Sequence, residues 1–476
     1  ALYAENAKEV VSLPNATDDD PIFVVRNKDG KIVFAVYQTG VRVYVEDTGI
    51  KGVRGGFAIG GLTNQSKVSQ EYFRITPDSA RIFVNEIPIT KGVRGGFAIG
   101  GLTNQGKSTS NQYLQLTPEN YFIGQNSGQN IYSGKYNSVF GYYAGSDLFE
   151  GSNNTILGNK AGEKTKYGSS NVFIGNYAGN ENVWGSQNIF IGDSAGRMVG
   201  SSGSIIIGNS AGKKATGLYK AVFIGNEAGA NDISGNPNTF IGNQSGYSNT
   251  TGGQNLFIGN FSGYKTTIGN SNLFVGNWAG YSNTEGGQNL FIGEMAGYKN
   301  TTSGGNTFIG FYSAYNNTEG HGNTFLGNYS GYQNTSGNRN TFIGNGTGSF
   351  NTTGEDNTFL GTNAGLMNTE GYGNTFIGCV AGQGFKNGNL NTFIGSGTGS
   401  GLRSGSGNIL IGGGLQDTLG SGNITLISVA DYSNAVTSNR LVIANSYYSD
   451  TSQALIYGRF DKKTIKFETS DIFLLD

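Results

Sequence analysis

Six tyrosines recur at one spacing, Tyr247, Tyr264, Tyr281, Tyr298, Tyr315 and Tyr332, each seventeen residues after the last. Phenol rings brought into one line can stack and stiffen the segment that carries them, or they can offer flat faces to sugar rings. The first reading needs only the repeat; the second makes the stripe a candidate glycan-binding strip. Groups for catalysis are sparse. His321 is the sole histidine and stands between Gly320 and Gly322 as a turn residue, and Cys379 is the sole cysteine, a small residue in a position usually held by Asn. Glu285, Glu319 and Glu370 share one register of the repeat. Glycosidase carboxylates face each other across a cleft at about 5 to 9.5 Å. Glu285 and Glu319, two repeats apart, would lie about 9.6 Å from each other along a stack of strands, but a flat stack supplies no second wall. The Gly-rich stretches are not phosphate loops, since no Gly-Lys-Ser or Gly-Lys-Thr follows a strand and opens a helix, and the turns lack the regular Asp of calcium-binding solenoids. The expectation is a protein that is not an enzyme and carries no cofactor and no metal.

The element that positions these residues is a repeat. An aliphatic-Gly step recurs at Gly124, Gly141, Gly158, Gly175 and Gly192, then sixteen residues on at Gly208, and every seventeen again to Gly412. Counting from each of these eighteen glycines, Asn fills minus four in 16 copies, Phe fills minus two in 14, and Ile, Leu or Val fills minus one in 17. Ala or Ser is usual at plus three and Gly at plus four, as in Asn238 to Tyr247. These are strand residues bounded by turn residues. A short strand, a Gly-bracketed turn, a second short strand around the Ala-Gly step and an Asn-, Thr- and Gly-rich return turn account for one coil, and no helix fits. Units this short cannot bury a core alone, so they stack as a parallel β-solenoid, a β-roll. Seventeen intervals of strand spacing predict a rod of roughly 80 Å. Asn at minus four is then expected to stack amide on amide.

Alternation along the strand bears on oligomeric state. Thr239 and Ile241 point to one side and Phe240 to the other, so both faces carry apolar groups. Taking the Phe face as outward makes Phe240, Phe257, Phe274, Phe291 and Phe308 candidate subunit-interface residues, each worth roughly 1.5 to 3 kcal/mol when covered by a neighbouring chain or by core. A closed homotrimer of β-rolls is the expectation, with a dimer as the alternative.

The flanks differ from the array. Residues 1–50 form one expected β-module, with a hairpin from Ile22–Val25 to Ile32–Val36 through Asn27-Lys28-Asp29-Gly30. Residues 51–120 hold a duplication, Lys51–Gln65 recurring identically as Lys91–Gln105. Each copy leads into an extended segment, Tyr72–Pro77 and Tyr113–Pro118. The solenoid is assigned to 121–428 and a last β-module to 429–476. Charge gathers at the ends, in Arg74, Asp78, Arg81 and Glu86 and in Arg459, Asp461, Lys462 and Lys463. Attachment and end-to-end fibre joining are expected there, with the array as a rigid spacer. A formal net charge of −1 and the lack of a basic stripe exclude nucleic acid as the expected partner. No apolar run reaches the length of a membrane-spanning helix, and Ala1 is expected to be a mature terminus after secretion.

The Asn, short apolar strand and Ile-Gly-x-x-Ala step resemble the head repeats of YadA-like trimeric autotransporter adhesins, as do the earlier Phe57–Gly60 and Phe97–Gly100 steps. The resemblance implies left-handed β-rolls that trimerise on a bacterial surface. Family repeats are shorter and carry Ala where this chain has Phe, which implies a wider coil or a bulkier interface. The stretches Asn439–Ser446 and Leu455–Phe460 resemble the small β-module that precedes the self-cleaving chaperone of tail-fibre-like proteins. That resemblance implies either a chain ending here or one processed near Asp476. An extracellular adhesive or structural fibre on the cell surface is the leading reading, with a glycan or surface receptor as its partner. A phage or phage-like tail fibre is the alternative. Ice binding by a flat Thr-rich face is a third, opposed by Leu and Val alternating with Thr at minus three.

Overall fold

The computed structural model describes residues 111–198, 200, 202–233, 237–414 and 420–427. It also describes short segments at 23–26, 28, 30, 32–37, 40–43, 45–46, 61–62, 73–76, 79–82, 97–101, 440–444, 456–459 and 462–467. All regular structure among them is β. From Asn120–Ile123 to Ile424–Ile427, each short strand pairs in parallel with the strand of the next coil. Partners are seventeen residues apart, as in Phe240 with Phe257, so one coil is one repeat. Ile189 pairs with Ile205 and Ile409 with Ile424, so coils one and two residues shorter keep the same register. The missing residues are taken from the connecting turns.

No second strand forms at the Ala-Gly step, which corrects the expected coil. The residue at plus two is left-handed in most coils, with φ near 55° at Phe261, Trp278 and Tyr312, and Gly at plus four repeats that conformation, φ 58° at Gly246. Such alternation closes successive tight turns in place of an extended segment. Ser262 N–H donates to Gly259 C=O at 3.3 Å, Tyr264 N–H to Phe261 C=O at 3.3 Å, and Thr266 N–H to Gly263 C=O at 3.0 Å. The ladder between coils still runs through these turns, since Phe261 N–H donates to Asn243 C=O and Gly263 N–H to Ala279 C=O, both at 2.9 Å.

The core holds Phe at minus two in most coils, with Val139, Ile156, Ile206 and Leu410 in the others, a small residue such as Ala or Ser at plus three, and Asn usually at minus four and often at plus seven. Eleven rings from Phe223 to Phe393 stack along the rod, centroids 4.6 to 5.2 Å apart and planes within 19°. The ring spacing follows the strand spacing of about 4.8 Å. Phe240, Phe257, Phe274, Phe291 and Phe308 are all fully buried within their own chain. They are therefore not an outward interface, and the reading that placed them between subunits is corrected. The reason is local: Gly at plus four sits against the ring of its own coil, where a Cβ at Gly246 would collide with Phe240. The bulky face thus fills the coil, and minus three and minus one face outward.

The Asn ladder takes the expected form. Asn357 donates its backbone N–H at 3.0 Å and its Nδ2 at 3.1 Å to Oδ1 of Asn340, and Nδ2 also donates to Gly371 C=O across its own coil. Both ladder and coil closure depend on one buried amide, which explains Asn over Ala at this position. Ser204 and Ala221 are the two exceptions.

Antiparallel strands take over at both ends. Asn111–Leu116 covers the edge of Asn120–Ile123 and pairs with Phe97–Gly101. At the other end Arg440–Ala444 adds one more parallel strand to Ile424–Ile427, and Ile456–Arg459 and then Thr464–Phe467 pair on antiparallel beyond it. Pairing of this kind satisfies backbone groups that an end coil would leave open. The hairpin of Phe23–Arg26 with Ile32–Tyr37 belongs to a separate five-stranded sheet that also contains Phe73–Thr76 and Ser79–Ile82. Arg74 and Arg81 are cross-strand partners in it. Phe57–Gly60, most of Lys51–Gln65, Asp78, Glu86 and Asp461 lie outside the described residues.

Candidate functional site

The tyrosine stripe is one continuous stack. Each tyrosine follows the left-handed residue at plus four, Gly in five coils and Ala314 before Tyr315, and that conformation fixes the direction in which the side chains leave the turn. Their centroids are 5.0 to 5.4 Å apart and their planes agree within 18°. Lys265 and Lys299 lie 5.3 and 5.4 Å from the centroids of Tyr281 and Tyr315. Burial, and after it the neighbouring phenols, hold the hydroxyls of Tyr264, Tyr298 and Tyr315 above the ordinary phenol range. Parallel stacking turns each interior ring face toward the next ring. The stripe therefore shows edges and hydroxyls to solvent, and a sugar ring can find an uncovered face only at its two ends.

A second aromatic column lies in the return turns of the first coils, formed by Tyr132, Phe149, Tyr167 and Trp184. Tyr132 stacks on Phe149 at 4.9 Å and 11°, and Tyr167 on Trp184 at 4.2 Å and 17°, whereas Phe149 meets Tyr167 edge-on at 78°. Tyr132 is 65% exposed and Trp184 67%. Beside them is a depression of about 520 Å³ whose lining includes Asn130, Tyr132, Asp147, Phe149, Lys166 and Tyr167. Asn130 Nδ2 donates to Asp147 Oδ1 at 3.0 Å. Sequence reasoning missed this column because its members slip register, at plus eight in two coils and plus nine in the next two. Four aromatics in four successive return turns were the available signal.

The outward sheet face is the third surface. Its minus-one column is aliphatic at every coil but that of Phe140, including half-buried Ile241, Ile258, Val275, Ile292 and Ile309. Its minus-three column runs through Leu256, Leu273 and Leu290 and then through Thr307, Thr324, Thr341, Thr358, Thr375 and Thr392. Thr and Leu thus fall in separate blocks along this stretch. None of these positions is charged from Tyr121 to Ile411.

The remaining candidates stay apart. His321 is exposed in its turn, its Nδ1 accepting Gly304 N–H at 3.0 Å. Glu285, Glu319, Glu370 and Cys379 are exposed as well. Among the described residues no three His, Cys, Asp or Glu side chains gather in a geometry for a metal ion. Arg339 reaches Asp356 at 2.7 Å and Glu355 at 2.9 Å, and the guanidinium holds the Asp356 carboxyl below its ordinary range. That cluster braces one turn against the next.

No helix among the described residues is long and apolar enough to cross a membrane. Comparison with protein-family models, with curated proteins and with solved structures returned no match.

Proposed function

We propose that this chain is a non-enzymatic, extracellular structural and adhesive fibre protein whose solenoid is a rigid spacer and whose ends carry attachment. The observation that supports it most is the uncharged outward sheet face. Over roughly 80 Å of rod and about 10 Å of width it offers on the order of 800 Å² per chain, what one partner buries in a standard stable interface. Three copies turning this face to a common axis would cover it, in line with the resemblance to trimeric adhesin heads and left-handed β-rolls. A flat aliphatic strip of this length left in water would invite aggregation. The subunit contact is thereby moved from the Phe column to Ile241, Ile258, Val275, Ile292 and Ile309 with Leu256, Leu273 and Leu290.

Light scattering of the full chain tests the assembly. A trimer is expected, and Ile258→Lys with Ile292→Lys should weaken it, whereas a soluble monomer would sink the oligomer argument. Deleting two coils should shorten the rod by about 10 Å and leave attachment intact; loss of attachment would make the array the recognition surface. A phage-like tail fibre is the second reading, favoured by the hairpin strands Arg440–Ala444, Ile456–Arg459 and Thr464–Phe467 at the far end.

A further inference from the structure

The tyrosine stripe ends inside the rod, and the coil where it ends lacks two large side chains at once. From the coil of Gly259 to that of Gly327, position plus two holds Phe261, Trp278, Met295, Tyr312 and Tyr329, beside the tyrosines at plus five. In the coil of Gly344 these two places go to Gly346 and Ser349, both buried. The coil after it carries Asn363 and Leu366 there. Rings of the stripe stand 5.0 to 5.4 Å apart, whereas Tyr332 and Leu366 belong to coils two steps apart, about 9.6 Å. The interval between them is one rung of the stack without its ring.

The near wall of this rung is aromatic. Among the described residues, which include all of 327–366, every ring that touches Tyr332 lies in its own coil or the one before, namely Tyr329, Tyr312 and Tyr315. Tyr329 meets Phe311, Tyr312 and Tyr332, again none from the coil of Gly344. It is 42% exposed, while Tyr312, with Tyr329 beyond it, is half-buried. At the opposite end of the stripe a side chain already stands beside Tyr247, since Asn231 Nδ2 donates to its C=O at 2.9 Å.

The far wall is an amide and an aliphatic group. Asn363 Oδ1 leans over Gly346 where a Cβ would stand, and Leu366 Cδ1 lies 3.8 Å from the same point. Phe350, 39% exposed, borders the rung through Ser349, its backbone N–H donating to Leu366 C=O at 2.9 Å. A ligand entering here needs one face that stacks on phenol and polar groups at its rim. A pyranose has both, because its C–H face lies on an aromatic ring and its hydroxyls pair with groups that donate and accept, as the Asn363 carboxamide and the phenol hydroxyls do. The turns 328–333, 345–350 and 362–367 contain no charged residue, which suits an uncharged sugar.

We propose that the rung at Gly346 and Ser349, walled by Tyr329 and Tyr332 on one side and by Asn363 and Leu366 on the other, binds one unit of a neutral glycan. The site lies within the array and goes beyond the attachment assigned to the ends.

The test uses the full chain with cellobiose, maltose, diacetylchitobiose and lactose, each titrated and read by saturation-transfer NMR. At least one should bind saturably in the millimolar range. Ser349→Tyr should continue the stack beyond Tyr332 and abolish binding, since Gly348 precedes it as Gly331 precedes Tyr332. Tyr332→Ala should weaken binding about tenfold and Asn363→Ala should weaken it too, whereas Tyr219→Ala, an exposed ring elsewhere, should change nothing. Unaltered amide exchange over 341–394 would show that the variants keep their coils. No saturable binding of any of the four sugars, or equal binding by the Ser349→Tyr chain, would overturn the site. Disaccharide binding that obeys these changes in a chain that does not attach to cells would support the site and sink the fibre reading.

Discussion

Replacing Gly242, Gly259 and Gly276 together with Ala tests the coil geometry most directly. Their φ values are 136°, 131° and 138°, a region that side chains with a Cβ scarcely enter. A Cβ on each would also overlap the carbonyl oxygen of the next coil's glycine, Gly259, Gly276 and Gly293 in turn. The backbone conformation alone costs about 1 to 3 kcal/mol per site, before any separation of coils to relieve the overlap. Relief by separation is expensive, because Gly259 N–H donates to Ile241 C=O at 2.8 Å and the bond would lengthen. A loss of about 3 kcal/mol across three neighbouring sites is a lower expectation, and it corresponds to amide exchange faster by roughly a hundredfold. Coils contact only their neighbours, so the effect should be local. Hydrogen exchange read by mass spectrometry should show lost protection over 238–293 and little change over 341–394. Thr251→Ala with Glu285→Ala, exposed side chains in two of the same coils, should leave protection unchanged. If the triple glycine variant keeps wild-type protection and melting temperature, the account of this position is wrong.

Three further outcomes follow from the same geometry. Phe308→Ala should cost about 3 to 5 kcal/mol by opening a cavity in the ring stack, while Phe311→Ala, an exposed ring three residues on, should stay within about 0.5 kcal/mol; equal effects in chemical denaturation would contradict the inward assignment of Phe. Asn340→Ala leaves the buried Asn357 N–H and Gly354 C=O without their amide partner, and should destabilise by about 2 to 4 kcal/mol; faster exchange at Asn357 is the readout, and unchanged exchange would refute the ladder's role. Tyr264, Tyr298 and Tyr315 have folded-state values raised above the ordinary phenol. The stability linked to them is complete below about pH 10 and is lost as pH rises through the raised values. Changing all three to Phe should keep the stack and reduce this alkaline sensitivity, so an unaltered melting profile against pH would count against it.

The period, the parallel register and the Asn ladder were legible in the residues alone. A unit repeated eighteen times at constant spacing has one economical solution, in which like residues stack, and Asn at minus four has enough donors and acceptors to bond above, below and across its coil. Strand alternation was legible too, but only as two sets. It sorted Phe240 from Thr239 and Ile241 without saying which set faces inward, because both sets contain apolar groups. Closure of the coil decided that. The left-handed turn at plus two and plus four draws Gly246 under the ring of Phe240, and a ring stack at strand spacing fills the interior, leaving Ile241 and its neighbours outside. Periodicity likewise placed the tyrosines in line, while stacking in three dimensions turned their faces on one another. The column from Tyr132 to Trp184 escaped a count kept from each glycine, since side chains at plus eight in two coils and plus nine in the next two meet on the surface. Sequence determines what recurs along this rod; the closed coil determines which side of each residue meets solvent, because that depends on contacts between residues that no single repeat contains.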